Sequence, residues 1–406
     1  MAILRMGQVT ETGGPNGQML ASLPPGQWDI AWVRDGMLAV QALTETGHHE
    51  EAERALEFYI RGPVGDYRDY VGRDYGISVC RYYGNGREES DSNARGPNVE
   101  LDGFGLYLEA AAAHVQSAPT GPAWLTRHVD AVSRTIADVL VDTADRDTGL
   151  VMADSSIWES HWTDGGRQRW IYTSGTAVLG LRAWADVLAA RDPADPRVAR
   201  YRARADTVLA AIEAHLVDAT TGALVASVEQ RTRPDRAFAD AQAALILGPR
   251  AIPAGSARGL ATLQLLRDRL FLAGTTARGY KRNDDGDAYD EREWVVVDLG
   301  IARALRDAGR ASEADALIAW ITGQATLNFG IVPELLDQTD GRYAGETPMI
   351  GFGAGAYLRA LIHRSGTRPV DPPAADAGTT SDDAALDGGP GATDAAPEPS
   401  EAGTPD

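Results

Sequence analysis

Segments with the hydrophobic spacing of an α-helix recur along almost the whole chain, and they come in pairs. Leu181, Trp184 and Leu188 fall at positions i, i+3 and i+7, which places them on one face of a helix. No convincing strand pattern separates such segments, although 221–228 has the composition of a short hairpin piece. The predicted helices cover 50–60, 99–115, 124–140, 170–188, 198–216, 237–247, 257–272, 291–305 and 312–321, with others ending at Met6, Gly47 and Leu361.

These segments number about twelve and pair as antiparallel hairpins, with long polar loops at alternate junctions. The longest loop is 62–98, and a second occupies 279–289. Long loops in a compact domain are usually functional. The pattern therefore predicts an all-α fold, an α/α barrel in which inner and outer helices alternate and one end carries the active-site loops.

Composition limits the class of partner. The chain has 406 residues and a net charge of −20. Nine acidic residues and no Lys or Arg lie between 371 and 406, so the rest carries about −11. An acidic protein is a poor ligand for nucleic acid or an anionic membrane, whereas it can bind a neutral sugar. No run of about 18 apolar residues predicts membrane insertion.

The two ends of the chain differ from its body. Residues 366–406 are rich in Pro, Ala, Gly and Asp, which predicts a disordered acidic tail after a domain covering 1–365. No signal peptide is visible at the N-terminus. The tail resembles the linkers of secreted or surface proteins, so an extracytoplasmic location is the weakly favoured expectation.

Metal and disulfide chemistry are not expected. Cys80 is the single cysteine, which excludes an intrachain disulfide. The acidic run 284–287 does not have the spacing of a calcium-binding loop with a closing glutamate. We expect no cofactor and no metal.

Glu159 is the first candidate for chemistry. It directly follows Trp158 in a segment that leads to a helix. A carboxyl group against an aromatic wall loses hydration, which makes its proton harder to remove. A glycosidase keeps a general acid protonated near neutral pH in this way. The alternative is an ordinary loop glutamate beside a core tryptophan.

A second cluster precedes the helix that ends at Gly47. Trp28, Trp32, Arg34 and Asp35 stand together in the stretch W-D-I-A-W-V-R-D. A planar cation beside a carboxylate can hold sugar hydroxyls through paired hydrogen bonds, and tryptophans pack against the apolar faces of a sugar ring. The alternative is an Arg–Asp pair at a helix start. For Asp102, at the first turn of another helix, the alternative is an acidic residue that only stabilises the helix N-terminus.

Five motifs occur in one order between the helix pairs: W-D-I-A-W-V-R-D at 28–35, L-D-G-F-G at 101–105, I-W-E at 157–159, the 282–294 loop with Arg282, Asp287, Tyr289 and Trp294, and V-P-E at 332–334. This set resembles the glucoamylase family, glycoside hydrolase family 15, across roughly residues 1–365. The resemblance implies an (α/α)6 barrel that releases glucose from the non-reducing ends of α-glucans or oligosaccharides, with inversion at the anomeric carbon.

The same resemblance implies roles for single residues. Glu159 would be the general acid and Glu334 the general base. Arg34 and Asp35 would hold the terminal glucose, and Arg282 would bind its hydroxyls. The remaining expected pocket residues are Trp28, Trp32, Asp102 and Trp158. In inverting enzymes the two carboxyl groups stand about 6.5–9.5 Å apart, with a water between base and sugar.

Several points depart from the family pattern. The chain begins inside what would be the first helix, and bacterial relatives usually have a β-sandwich domain before it. Arg282 is one residue further from Asp287 than expected, and Leu335 stands where many relatives have a polar residue.

The second hypothesis is therefore a catalytically silent glucan-binding or regulatory barrel. Preference among α-1,4, α-1,6 and trehalose linkages stays open, and we expect a monomer.

Overall fold

The computed structural model describes residues 1–159, 166–232, 238–273, 276 and 278–366. The tail predicted to be disordered from 366 onward lies, except for Gly366, outside these residues. None of the helices in the described ranges combines the length and the apolar character needed to span a bilayer.

The described helices alternate between long and short connections. In chain order they are α1 (Ala2–Met6), α2 (Val33–Glu45), α3 (His49–Arg61), α4 (Arg68–Val71), α5 (Asp102–Ser117), α6 (Gly121–Val132), α7 (Asp138–Asp142), α8 (Ile171–Arg191), α9 (Pro196–His215), α10 (Gln242–Leu245), α11 (Ala257–Leu270), α12 (Val295–Asp307), α13 (Ala311–Leu327) and α14 (Ala356–Ser365). π-Helical segments at Ser133–Ala137 and Ile350–Gly355 join α6 to α7 and lead into α14.

Six helices form a closed inner ring. Helix α2 packs on α5, α5 on α8, α8 on α10, α10 on α12, α12 on α14, and α14 on α2. Helices α3, α6, α9, α11 and α13 pack outside this ring, and α1 packs on the segment before α14. Twelve helical positions in two layers make an (α/α)6 barrel, which confirms the predicted fold class.

Inner helices are buried on most sides, because they face both the axis and the outer layer. Two glycines allow α5 and α8 to approach closely. A Cβ on Gly105 would lie 2.3 Å from the carbonyl oxygen of Thr176, and a Cβ on Gly180 would lie 2.3 Å from that of Gly105. Any larger side chain at either position would push the helices apart.

Two small antiparallel sheets lie where inner helices begin. The strands are β1 (Ala31–Trp32), β2 (Arg81–Tyr82), β3 (Glu88–Glu89), β4 (Glu293–Trp294), β5 (Leu335–Leu336) and β6 (Tyr343–Ala344). They pair in the orders β1-β2-β3 and β4-β5-β6. Strand β1 leads directly into α2 and β4 into α12, so each sheet ties distant loops to the start of an inner helix.

The structure corrects two sequence expectations. Within the described part of the helix predicted at 237–247, only the four-residue α10 is helical, and residues 238–240 before it are not. The 62–98 segment is not structureless, since it contains α4 and the β2–β3 hairpin. Strands of two residues are too short to produce an alternating pattern that sequence analysis could detect.

Candidate active site

A cavity of about 340 Å³ opens at the end of the barrel where the inner helices begin. Both predicted catalytic residues, Glu159 and Glu334, line it. So do six of the seven predicted substrate-binding residues: Trp28, Trp32, Arg34, Asp35, Trp158 and Arg282. These eight residues come from four separate segments of the chain, which therefore meet around one space.

Glu159 follows a loop segment that hydrogen bonds anchor to two inner helices. The buried carboxylate of Asp154 accepts hydrogen bonds from the Leu101 amide (2.9 Å) and the Thr173 hydroxyl (2.9 Å), which ties the loop to the starts of α5 and α8. Glu159 itself has a left-handed backbone (φ 62°), a conformation uncommon for residues other than glycine. The loop thus holds Glu159 in a geometry that free chain rarely adopts.

The surroundings of the Glu159 carboxyl group favour its neutral form. Burial raises its pKa above the ordinary value, and this effect outweighs the opposing influence of Arg34 and the hydrogen bond from Trp32. The indole Nε1 of Trp32 donates to Oε1 of Glu159 over 2.7 Å, and Asn98 Nδ2 lies 3.5 Å from Oε2. Glu159 is therefore positioned and has a raised proton affinity, as a proton donor requires.

Arg34 lies behind this carboxyl group and is almost fully buried. Its Nη1 contacts Glu100 at 2.8 Å and Asp102 at 3.4 Å, while Nη2 lies 3.8 Å from Glu159. Asp102 does not line the cavity, contrary to expectation. It is buried at the first turn of α5, where it pairs with Arg34 and so supports a wall residue from behind.

Asp35 lies at the start of α2 and lines the same cavity. Burial raises its pKa to about 7; Arg34 opposes this shift, while Glu159 and Glu334 add to it. Its Oδ1 has no hydrogen-bond partner among the described residues. Both glutamates are thus near enough to influence Asp35, and its free oxygen is available to a bound hydroxyl group.

Glu334 has a different environment on another wall. Its Oε1 accepts a hydrogen bond from the hydroxyl of Tyr289 at 2.6 Å, and its Oε2 accepts one from the amide of Glu346 at 3.0 Å. The backbone amide of Glu334 in turn donates to the carbonyl of Glu346. The two hydrogen bonds fix the orientation of the carboxyl group at the cavity wall.

Arg282 is enclosed by aromatic rings. Its guanidinium carbon lies 4.5 Å from the ring centroid of Trp294, 4.6 Å from Trp158 and 5.3 Å from Tyr289. Asp290 pairs with it from the side. These contacts orient a planar cation at the cavity wall. Trp158 is fixed in turn, because its Nε1 donates to the buried Asp240 at 2.8 Å.

The opposite wall carries Trp28 and a charged pair that sequence analysis did not single out. Trp28 is half-buried and meets Trp32 edge to face at 5.8 Å. Arg81 stacks over the other side of Trp32 at 4.6 Å and pairs with Asp91 at 3.1 Å. Both Arg81 and Asp91 line the cavity, yet they come from the irregular 62–98 segment, which gave no periodic signal.

One group of potential metal ligands borders the site. The sulfur of Cys80 and carboxylate oxygens of Glu100 and Glu159 lie within 4.8 Å of one another. Arg34 contacts both carboxylates, so its guanidinium already supplies the positive charge at this position. We assign no metal to this group.

Neither a family model nor a curated protein matches the chain. Solved structures do match. A glycosidase variant in complex with glucose has a TM-score of 0.69 and 20% identity, covering 90% of this chain and 94% of that one. Glucoamylase from Saccharomycopsis fibuligera has a TM-score of 0.68 and 15% identity, covering 90% and 92%.

A glycoside hydrolase family 15 glucoamylase from Hypocrea jecorina also matches, with a TM-score of 0.65 and 15% identity, covering 91% of this chain and 71% of that one. At these identities the likeness concerns the fold. The chain has the fold of glucoamylase-like glycoside hydrolases, with the closed ring of six inner helices described above.

Proposed function

We propose that this protein is an inverting, exo-acting α-glucoside hydrolase that releases glucose from the non-reducing ends of α-glucans or oligosaccharides. The observation that carries the proposal is the unequal environment of two glutamates around one cavity. Glu159 has a raised pKa, whereas Glu334 accepts two hydrogen bonds. Acid–base glycoside hydrolysis requires one carboxyl group that donates a proton to the leaving group and a second one, held in position, that accepts a proton from water.

In the proposed reaction Glu159 protonates the glycosidic oxygen of the leaving group. Glu334 removes a proton from a water molecule, which attacks the anomeric carbon from the opposite face of the ring. The C–O bond to the leaving group breaks as the bond to water forms, so an α-glucoside gives β-glucose. Tyr289 and the Glu346 amide hold Glu334 in position for this step.

Exo action is supported by the residues at the start of α2. Arg34 and Asp35 line the cavity and are each only 4% exposed, as expected for the closed end of a pocket that accepts a chain end. Asp35 offers an unpartnered oxygen, and Arg282 offers its guanidinium edge. These groups suit the hydroxyls of a terminal glucose, with Trp28, Trp32 and Trp158 against the ring faces.

The experiment is a glucose-release assay on purified protein with maltose, isomaltose, trehalose and a longer maltooligosaccharide in parallel. Release of glucose as the first product from at least one of them is expected, with intermediate-length fragments absent. Binding without hydrolysis of any α-glucoside by folded protein would favour the silent glucan-binding module. Early appearance of internal fragments would exclude exo action.

A further inference from the structure

A second cavity of about 150 Å³ lies along the barrel axis, further along the inner helices than the catalytic one. Its polar lining includes Gln41 of α2, Glu109 of α5 and Arg303 of α12. Ile157 and Phe352 line both cavities and so form the partition between them. The reaction proposed above uses none of the three polar residues.

Gln41 is the strongest sign that this space binds something. Its side chain is 2% exposed, and neither its amide nitrogen nor its amide oxygen has a hydrogen-bond partner among the described residues. A buried polar group without a partner destabilises the fold, because it loses its hydrogen bonds to water without gaining others. Gln41 thus lines the cavity with a buried amide whose nitrogen and oxygen both lack partners.

Arg303 and Glu109 add a second unsatisfied donor and acceptor. Within the described part of the chain, neither forms a hydrogen bond or an ion pair. Their charged neighbours are already engaged: Arg359 pairs with Glu45 at 3.0 Å, and Asp307 pairs with His363 at 2.8 Å. The nearby Arg359 and burial lower the pKa of Arg303 to about 10.

The combination of donors and acceptors on Gln41, Arg303 and Glu109 indicates the chemistry of the ligand. An anion would satisfy the donors of Arg303 and Gln41 but would face the carboxylate of Glu109. Hydroxyl groups both donate and accept, so a polyol can satisfy all three side chains. We propose that this cavity binds a small, neutral polyhydroxylated molecule, a monosaccharide or smaller.

Size makes a monosaccharide the upper limit, because its hydroxyl groups add to the volume of a six-membered ring. An engineered protein cavity of about 150 Å³ accommodates benzene, a single six-membered ring. The site does not depend on the hydrolase proposal, since no catalytic group contributes to it. Its ligand could nevertheless be the glucose that the catalytic cavity is proposed to release.

The test uses D-glucose as the probe, with ligand-observed NMR and isothermal titration on the full-length protein. Asp35→Ala serves as the background because it removes a carboxylate that is proposed to bind glucose in the catalytic cavity, and the dependence on Gln41 then identifies the second site. Saturable glucose binding is expected to persist in this background. Adding Gln41→Met, which keeps the length of the side chain but removes both polar atoms, should raise the Kd at least tenfold.

Gln18→Met is the matched control, because Gln18 is equally buried but lines neither cavity. Its glucose affinity should be unchanged. Arg303→Lys is a second variant, which keeps the charge but loses the planar fork, and it should also weaken binding. Thermal unfolding verifies that each variant is folded.

Three results would overturn the proposal: no glucose binding in the Asp35→Ala background, binding that Gln41→Met and Arg303→Lys leave unchanged, or Gln41-dependent binding of inorganic phosphate in place of glucose. Hydrolysis by the wild type is measured separately. Loss of the second site would leave the proposed activity standing, and an inactive wild type would leave the second site testable.

Discussion

The hydroxyl of Tyr289 donates to Oε1 of Glu334 over 2.6 Å, although the two residues are 45 positions apart. Tyr289 also lies against Arg282 and meets Trp294 edge to face at 5.1 Å. One tyrosine thus connects the proposed base to the aromatic side chains around Arg282, the arginine proposed to bind the sugar. Its loss should affect the orientation of Glu334 more than the fold.

Tyr289→Phe should therefore lower kcat by about tenfold to a hundredfold, because an incorrectly oriented base loses part of its general-base contribution of about 10²–10⁴. KM should change little. Steady-state kinetics on the best substrate measure both. Tyr343→Phe is the matched control: Tyr343 also donates a 2.6 Å hydrogen bond, to the Ile331 carbonyl, but it does not line the cavity. Equal losses in the two variants would contradict the assigned role.

Replacing either proposed catalytic group should nearly abolish turnover. Glu159→Gln and Glu334→Gln are each expected to reduce kcat by about 10²–10⁴ while the protein stays folded. Circular dichroism and kinetics check the two parts of this statement. Glu291→Gln is the control, since Glu291 pairs with Lys281 outside the cavity. Near-normal kcat in either catalytic variant would refute the corresponding role.

The pH dependence of kcat should reflect the protonation of Glu159. A general acid works while protonated, so activity falls as pH rises through its pKa. That pKa is raised by burial, which places the alkaline limb above the ordinary range for glutamic acid. The hydrogen bond from Trp32 stabilises the charged form. Trp32→Phe removes it and should move the alkaline limb of kcat to higher pH. A limb that stays in place or moves lower would contradict this assignment.

Close packing of the inner ring makes a stability prediction. Gly180→Ala places a Cβ against the backbone of Gly105 and should lower the free energy of unfolding by about 1–3 kcal/mol. Gly323→Ala is the matched control in α13, where a Cβ meets nothing within 4 Å. It should stabilise the protein by about 0.4–1 kcal/mol. Chemical denaturation measures both. The same sign for both variants would contradict the packing argument.

Much of this arrangement was accessible from sequence. The helical spacing of apolar residues predicted about twelve helices in antiparallel pairs. That number and pairing predicted the α/α barrel, in which the helices bury their apolar faces between two layers. The ordered motifs predicted which loops meet, and the structure brings Glu159, Glu334 and six of the predicted binding residues around one cavity. The raised pKa of Glu159 agrees with the desolvation inferred from its position after Trp158.

Other features depend on tertiary contacts that local sequence does not encode. Asp102 was expected in the pocket wall, yet it lies behind Arg34. Tyr289 was part of a recognised motif, but only the folded chain shows its hydroxyl on Glu334. Arg81 comes from a segment without periodicity, and its stacking on Trp32 arises from pairing of β1 with β2.

The central claim is that Glu159 and Glu334 divide the acid and base roles of an inverting reaction. Proton NMR of the anomeric region during the first minutes of turnover tests this most directly, before mutarotation mixes the products. With an α-glucoside the account predicts that β-glucose appears first and that α-glucose follows at the rate of mutarotation. Initial α-glucose would contradict it, as would an absence of released glucose from every α-glucoside offered.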